Sequence, residues 1–153
     1  MSSEQHLLLL IEYRNGKPIR EAVHAEQVGP RMFRLLHSPG FVQGIAAGDE
    51  FRLTGQDGAF KVTHRSGNLA VQLFSDEPVA PLRGELAERV AQLGGRLDGG
   101  FERGLVFSIP VTVGFPAIEA VFDGWVAEHP DWEWSFGNVY DPTDETTPLG
   151  WWA

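Results

Sequence analysis

Residues 81–95 read Pro81-Leu-Arg-Gly-Glu-Leu-Ala-Glu-Arg-Val-Ala-Gln-Leu-Gly-Gly95. Leu82, Leu86, Val90 and Leu93 recur at spacings of four, four and three, with Ala87 and Ala91 beside them, and this is the single apolar stripe of a surface helix. Glu85 and Arg89 form a favourable i,i+4 pair on its outer side. Gly94-Gly95 stops it. The chain before residue 75 shows a different rhythm, of short apolar runs with turn residues between them. The helix therefore marks the point where a β-rich front half gives way to a mixed back half.

Downstream of the helix, Arg96–Asp98 and Leu105–Ile109 are expected as two strands joined by the turn Gly99-Gly100-Phe-Glu-Arg-Gly104. Pro116 suits a first helical turn, and Ile118, Val121, Phe122, Trp125 and Val126 supply a second helical stripe. His129-Pro130 ends it, because the residue before proline disfavours the α conformation. There an imidazole can bond the terminal carbonyls. Trp132, Trp134 and Phe136 alternate with Glu133 and Ser135, which predicts a last strand with its Trp side under the helices. With Leu69–Phe74 as the first strand, the order is βαββαβ, the ferredoxin-like split motif of a four-stranded antiparallel sheet with two helices on one face.

Upstream, Leu7–Tyr13 reads as a strand buried on both faces. Asn15-Gly16 turns the chain into Ile19–Val28, where Val23, Ala25 and Gln27 alternate with Ala22, His24 and Glu26. Gly29-Pro30 precedes a short strand at Met32–Leu36. Residues 37–49 form a loop broken by Pro39, Gly40, Gly44 and Gly48. Glu50–Thr54 and Ala59–His64 form a hairpin, and Ser66-Gly67-Asn68 turns again. Strands this short and this close predict a small bent sheet or partial barrel. The fold class is thus α+β, divided as a β-rich lobe at 1–68, a ferredoxin-like lobe at 69–140, and a tail at 141–153 that is either partly disordered or held by Trp151-Trp152 against the protein's own surface.

The chain has 153 residues, 42% hydrophobic, and no cysteine. That composition excludes a disulfide scaffold, a thiolate metal site and a thiol nucleophile. The longest apolar run, Leu7–Ile11, is flanked by Glu4 and Glu12 and is far short of the ~20 residues of a membrane helix. A cytoplasmic protein without membrane attachment is expected. The net charge is −9, and its distribution is lopsided. All 12 Lys and Arg lie before residue 104, where 13 acids nearly balance them. From Gly104 onward there are eight acids and no Lys or Arg. A nucleic-acid partner is disfavoured, since phosphate neutralisation needs a basic face. The acidic stretch reads as a solvated surface or, functionally, as a docking face for a basic protein partner.

The spacing Ala25-Glu26, Val28-Gly29, Phe33-Arg34-Leu35, Ser38-Pro39, Gly44 and Gly48-Asp49 resembles the front half of the bacterial domain-of-unknown-function family 4265. Ser66-Gly67-Asn68 before a Val-containing strand, and the helix-Gly-strand-Pro-helix order from Leu82 to Phe136, are similar as well. The resemblance covers about residues 6–140. Many members carry an aromatic where this chain has His24. The resemblance implies a bacterial cytosolic protein and gives no catalytic residue.

No motif for a nucleotide, a metal or a nucleophile stands in the chain. The five histidines, His6, His24, His37, His64 and His129, form no HxxxH or HxH spacing, so neither a metal nor a cofactor is expected from local pattern. His64 shares a strand face with Phe60 and Val62, which suggests a core or rim position. A hydrolase reading would draw on His37, Asp49 and His64, with His37 and Asp49 bounding the long loop, but no GxSxG elbow accompanies them. Gly94-Gly95 and Gly99-Gly100 are turns rather than phosphate loops. The favoured reading is a non-enzymatic binding module. It would recognise a basic protein in the manner of an immunity protein, through Glu128, Asp131, Glu133, Trp151 and Trp152, or a small ligand between the lobes. A homo-oligomer docked through Trp151-Trp152 is the structural alternative, so the chain is expected as a monomer or a homodimer.

Overall fold

A computed structural model describes residues 4–153. Five strands make the front sheet: β1 (Glu4–Arg14), β2 (Lys17–Gly29), β3 (Met32–Leu35), β4 (Glu50–Leu53) and β5 (Phe60–His64). They pair as an antiparallel meander in chain order. Asn15 and Gly16, at φ 53° and 75°, take the left-handed conformations that a tight two-residue hairpin demands. The sheet curls until the Leu10 N–H donates to Gly58 O at 2.9 Å. Gly58 is required at that contact, because a Cβ there would lie 2.5 Å from Leu8 O.

The back half runs β6 (Asn68–Ser75), α1 (Ala80–Gln92), β7 (Arg96–Phe101), β8 (Gly104–Pro110), α2 (Phe115–Glu128) and β9 (Trp132–Phe136), with one 3₁₀ turn at Val111–Val113. Its sheet has the order β7-β8-β6-β9, antiparallel throughout. Leu86 and Val90 of α1, and Ile118, Phe122 and Trp125 of α2, are the buried stripe residues packed on β6 and β8. Trp132 meets Trp125 edge-on, and Trp134 lies over Phe122, so both tryptophans sit beneath α2. The fold is α+β, with two helices and two antiparallel sheets.

Three local expectations need correction. β1 is not buried on both faces: Leu9 is fully buried while Leu8 is 52% exposed. β1 is an edge strand, and only one face of its sheet covers a core. Gly99 and Gly100 do not form the hairpin turn; β7 continues through them to Phe101, and Glu102-Arg103 make the turn. His64 is exposed at the end of β5 rather than at the rim of the core. The tail is held on the protein's own surface. The Trp151 indole N–H donates to Asn138 O at 2.9 Å, Trp152 packs edge-on against Phe115, and both rings lie against the back core.

Residues 36–49, the segment joining β3 to β4, make contacts to both sheets. Most of this segment is buried, so its backbone groups need partners inside the protein. Glu21 of β2 accepts the N–H groups of Gly40, Phe41 and Val42 at 2.8–2.9 Å. The Gln72 amide of β6 donates to Pro39 O and Val42 O. The Gly44 N–H donates to Gly137 O at 2.7 Å, which pins the segment beside β9.

Candidate functional site

A cleft of about 210 Å³ opens where β2 of the front sheet faces β7 of the back sheet. Its walls include His24 of β2, His37, Ser38 and Gly40 of the joining segment, and Asp98, Gly99 and Phe101 of β7. β7 is the sheet edge, so one side of its backbone is unpaired and turned away from β8.

Asp98 anchors this wall. Its side chain is 1% exposed. It accepts the Ser38 N–H at 2.6 Å, the Arg96 Nε–H at 2.7 Å and the Ser108 hydroxyl. Because the Ser108 hydrogen goes to Asp98, Ser38 is the donor in the 2.6 Å Ser38–Ser108 hydroxyl pair. Ser38 Oγ in turn accepts the Ala47 N–H at 2.9 Å. His37 stands beside this network with Nδ1 3.8 Å from Asp98 Oδ1. That Nδ1 is buried and has no hydrogen-bond partner among the described residues. The His37 side chain is otherwise 43% exposed, and the ring of His24 meets it edge-on at 5.3 Å. At the far end of the cleft, Phe101 packs with Phe41 and Phe74 at 5.0 and 6.0 Å; Phe41 and Phe101 are both exposed. The cleft therefore has an imidazole end and an aromatic end.

None of the contacts of His37, Asp49 and His64 among the described residues joins one of the three to another. His37 faces Asp98, not Asp49. Asp49 is buried and accepts the Ala46 N–H at 3.0 Å and the Ser66 N–H at 2.8 Å, with the Ser66 hydroxyl and Arg65 also in reach. Burial raises its carboxyl above the ordinary value of 3.8, outweighing those hydrogen bonds and the Arg65 charge. Burial likewise lowers the Arg65 guanidinium. This pair ties the joining segment to the β5–β6 connection. His129 bonds Trp125 O at 3.0 Å and stacks on the Trp125 ring, as a helix-terminal histidine does.

On the acidic half, Glu128 is paired with Arg89 of α1 at 3.2 Å. Asp131 and Glu133 are exposed and line a notch of about 210 Å³ with Asp76. Trp151 and Trp152 are half-buried against their own core, with Arg65 lying over the Trp151 ring.

Sequence spacing did not reveal that His6 and His24 face each other. From the Asn15-Gly16 turn, Arg14 opposes Lys17 and Glu12 opposes Ile19. Continued without interruption, that register would put His6 opposite Ala25, on the other face from His24. A bulge at Ile11 shifts the pairing by one, so Leu10 opposes Arg20 and His6 opposes His24. The two rings then lie T-shaped, with centroids 4.4 Å apart.

No helix among the described residues is long and apolar enough to cross a membrane. The chain is similar to a solved structure titled "Novel crystal structure of a hypothetical protein from Neisseria gonorrhoeae". That match has a TM-score of 0.68 and 14% sequence identity, and covers 90% of this chain and 94% of the other, a likeness of fold. No curated protein matches the chain. A family model described as "Domain of unknown function (DUF4265)" matches residues 21–134, a span from the cleft strand β2 to the strand under α2. The chain belongs to that family.

Proposed function

We propose that this protein is a non-enzymatic binding module that takes a small ligand, with a polar head and an apolar body, in the cleft between its two sheets. The observation that carries this reading is the incomplete His37–Asp98 pair. Asp98 is held rigidly by three donors, yet His37 Nδ1 stops at 3.8 Å, just beyond a hydrogen bond. A ligand that engages the exposed part of the ring and turns it slightly would close that bond. Phe101, backed by Phe41, offers the apolar contact. The volume, about 210 Å³, lies below the range of about 300–1,000 Å³ typical of drug-sized ligands. It suits a compact metabolite. Ligand-observed NMR against small polar-aromatic and polar-aliphatic metabolites tests this. Hits that are lost in His37→Ala support the reading; a full set without binding at millimolar concentration, or hits indifferent to His37→Ala, defeats it. Under this reading the back half is a ferredoxin-like unit, supported by the order βαββαβ and the strand order β7-β8-β6-β9. The segments 1–68, 69–140 and 141–153 are then its two lobes and tail.

A second reading is favoured by the acidic surface. Seven of the eight acids after residue 104 are exposed. The notch of Asp76, Asp131 and Glu133 would receive a Lys or Arg side chain of a basic protein. Because Trp151 and Trp152 lie against the protein's own core, the contact would rest on carboxylates, and capture from lysate should vanish in high salt.

A further inference from the structure

The geometry points to a binding site for a zinc-class divalent transition-metal ion on the outer face of the β1–β2 hairpin, held by Glu4, His6 and His24. Each of the three offers one ligand atom, and these atoms lie within 4.8 Å of one another. His6 Nε2 is 3.2 Å from His24 Nδ1, and His24 Nδ1 is 3.3 Å from Glu4 Oε2. Ligands bound at about 2.0–2.2 Å around a tetrahedral ion stand about 3.3–3.6 Å from one another. The two measured edges are close to that spacing without any rearrangement.

Hydrogen bonding alone serves this cluster poorly. His24 Nδ1 is in contact with two groups, yet a ring nitrogen carries at most one hydrogen. If that hydrogen goes to Glu4, His6 is left to share it. If it is absent, the His24 lone pair faces a carboxylate oxygen. A cation at the centre of the three atoms accepts all three lone pairs at once. Two imidazole nitrogens and one carboxylate oxygen are the donor set of zinc and its neighbours, whereas calcium and magnesium select all-oxygen sites. Three protein ligands leave a fourth position open.

Two further features hold the arrangement. The Ile11 bulge puts both histidines on one face, and without it they would point to opposite sides of the sheet. The His37 ring then abuts His24 edge-on at 5.3 Å, fixing the orientation of the central ligand. The site stands without the cleft ligand proposed above, and either can fail alone.

The test is calorimetric titration of the full chain at neutral pH with Zn²⁺ alone, and separately with Mg²⁺ and Ca²⁺. The same titrations follow on His6→Ala, His24→Ala and, as a control histidine away from the cluster, His64→Ala. The expected result is one Zn²⁺ per chain, no binding of Mg²⁺ or Ca²⁺, and at least about tenfold weaker Zn²⁺ affinity in His6→Ala and His24→Ala but not in His64→Ala. Co²⁺ should give the intense visible absorption of a tetrahedral site, lost in His24→Ala. Circular dichroism of the metal-free variants reports whether each folds; if a histidine variant does not, Glu4→Gln leaves both imidazoles in place and is measured instead. Zn²⁺ affinity unchanged in the cluster variants, or no Zn²⁺ heat and no Co²⁺ absorption at submillimolar metal, overturns the proposal.

Discussion

Asp49→Ala removes the acceptor at the centre of the joining segment. The Ala46 N–H is buried and loses its partner outright, at about 1–3 kcal/mol. Ser66 is exposed, so water replaces part of its bond, at a loss of about 1 kcal/mol. Arg65, half-buried, loses its counter-charge, but at 3.5 Å that contact is weak. Relief of the carboxylate's own desolvation offsets some of this. The net expectation at neutral pH is a loss of about 2–4 kcal/mol, or a drop of several degrees in melting temperature for a chain of this size. The sign with pH is fixed as well. Burial raises the folded-state carboxyl above 3.8. The stabilisation linked to that shift is complete below pH 3.8 and is lost as the pH rises through the folded value. The deficit of Asp49→Ala relative to wild type should therefore be largest in acid and shrink as the pH is raised from 3.8. Urea unfolding followed by circular dichroism measures it across pH. All five tryptophans lie between residues 125 and 152, so fluorescence reports the back half separately, and coincident curves establish a two-state transition. A loss under about 1 kcal/mol at neutral pH, or a deficit that grows with pH, refutes the structural role assigned here.

Trp125 is fully buried and its indole N–H has no hydrogen-bond partner among the described residues, while its ring stacks on His129 and carries the Arg89 guanidinium at 5.0 Å from its centroid. Trp125→Phe removes that orphan donor along with part of the ring and should cost under about 1.5 kcal/mol, against about 3–5 kcal/mol for Trp125→Ala; equal losses in urea melts would contradict this. Asp144 is exposed and its carboxyl is lowered to about 2 by the Thr147 hydroxyl, the Thr147 N–H and the Thr146 N–H. Its contribution to stability is present above its ordinary 3.8 and lost as the pH falls toward about 2. Thr147→Val should move its NMR titration midpoint upward, and an unmoved midpoint would rule out the hydroxyl as the main cause.

Both helices, the last strand and the Asn15-Gly16 turn were legible in the chain because their signals are local. Leu86 and Val90, or Ile118, Phe122 and Trp125, share a face by spacing alone. The charge asymmetry and the absence of cysteine were equally plain. The boundaries of β7 were not, because Gly99-Gly100 carries turn chemistry yet lies in a strand held by its pairing with β8. The exposure of Leu8 and His64 also escaped, since burial depends on which sheet face meets a partner.

The candidate sites belong to the tertiary structure. Asp98 and Ser38 are sixty residues apart in sequence and meet only because β7 docks against the joining segment. His6 and His24 meet only because one extra residue at Ile11 changes the register of a hairpin, a small backbone irregularity that no periodicity reports. Periodicity and turn residues determined which elements form and which faces they bury. Docking and register decided which side chains share a cleft, because those depend on contacts between segments whose separation along the chain carries no local signal.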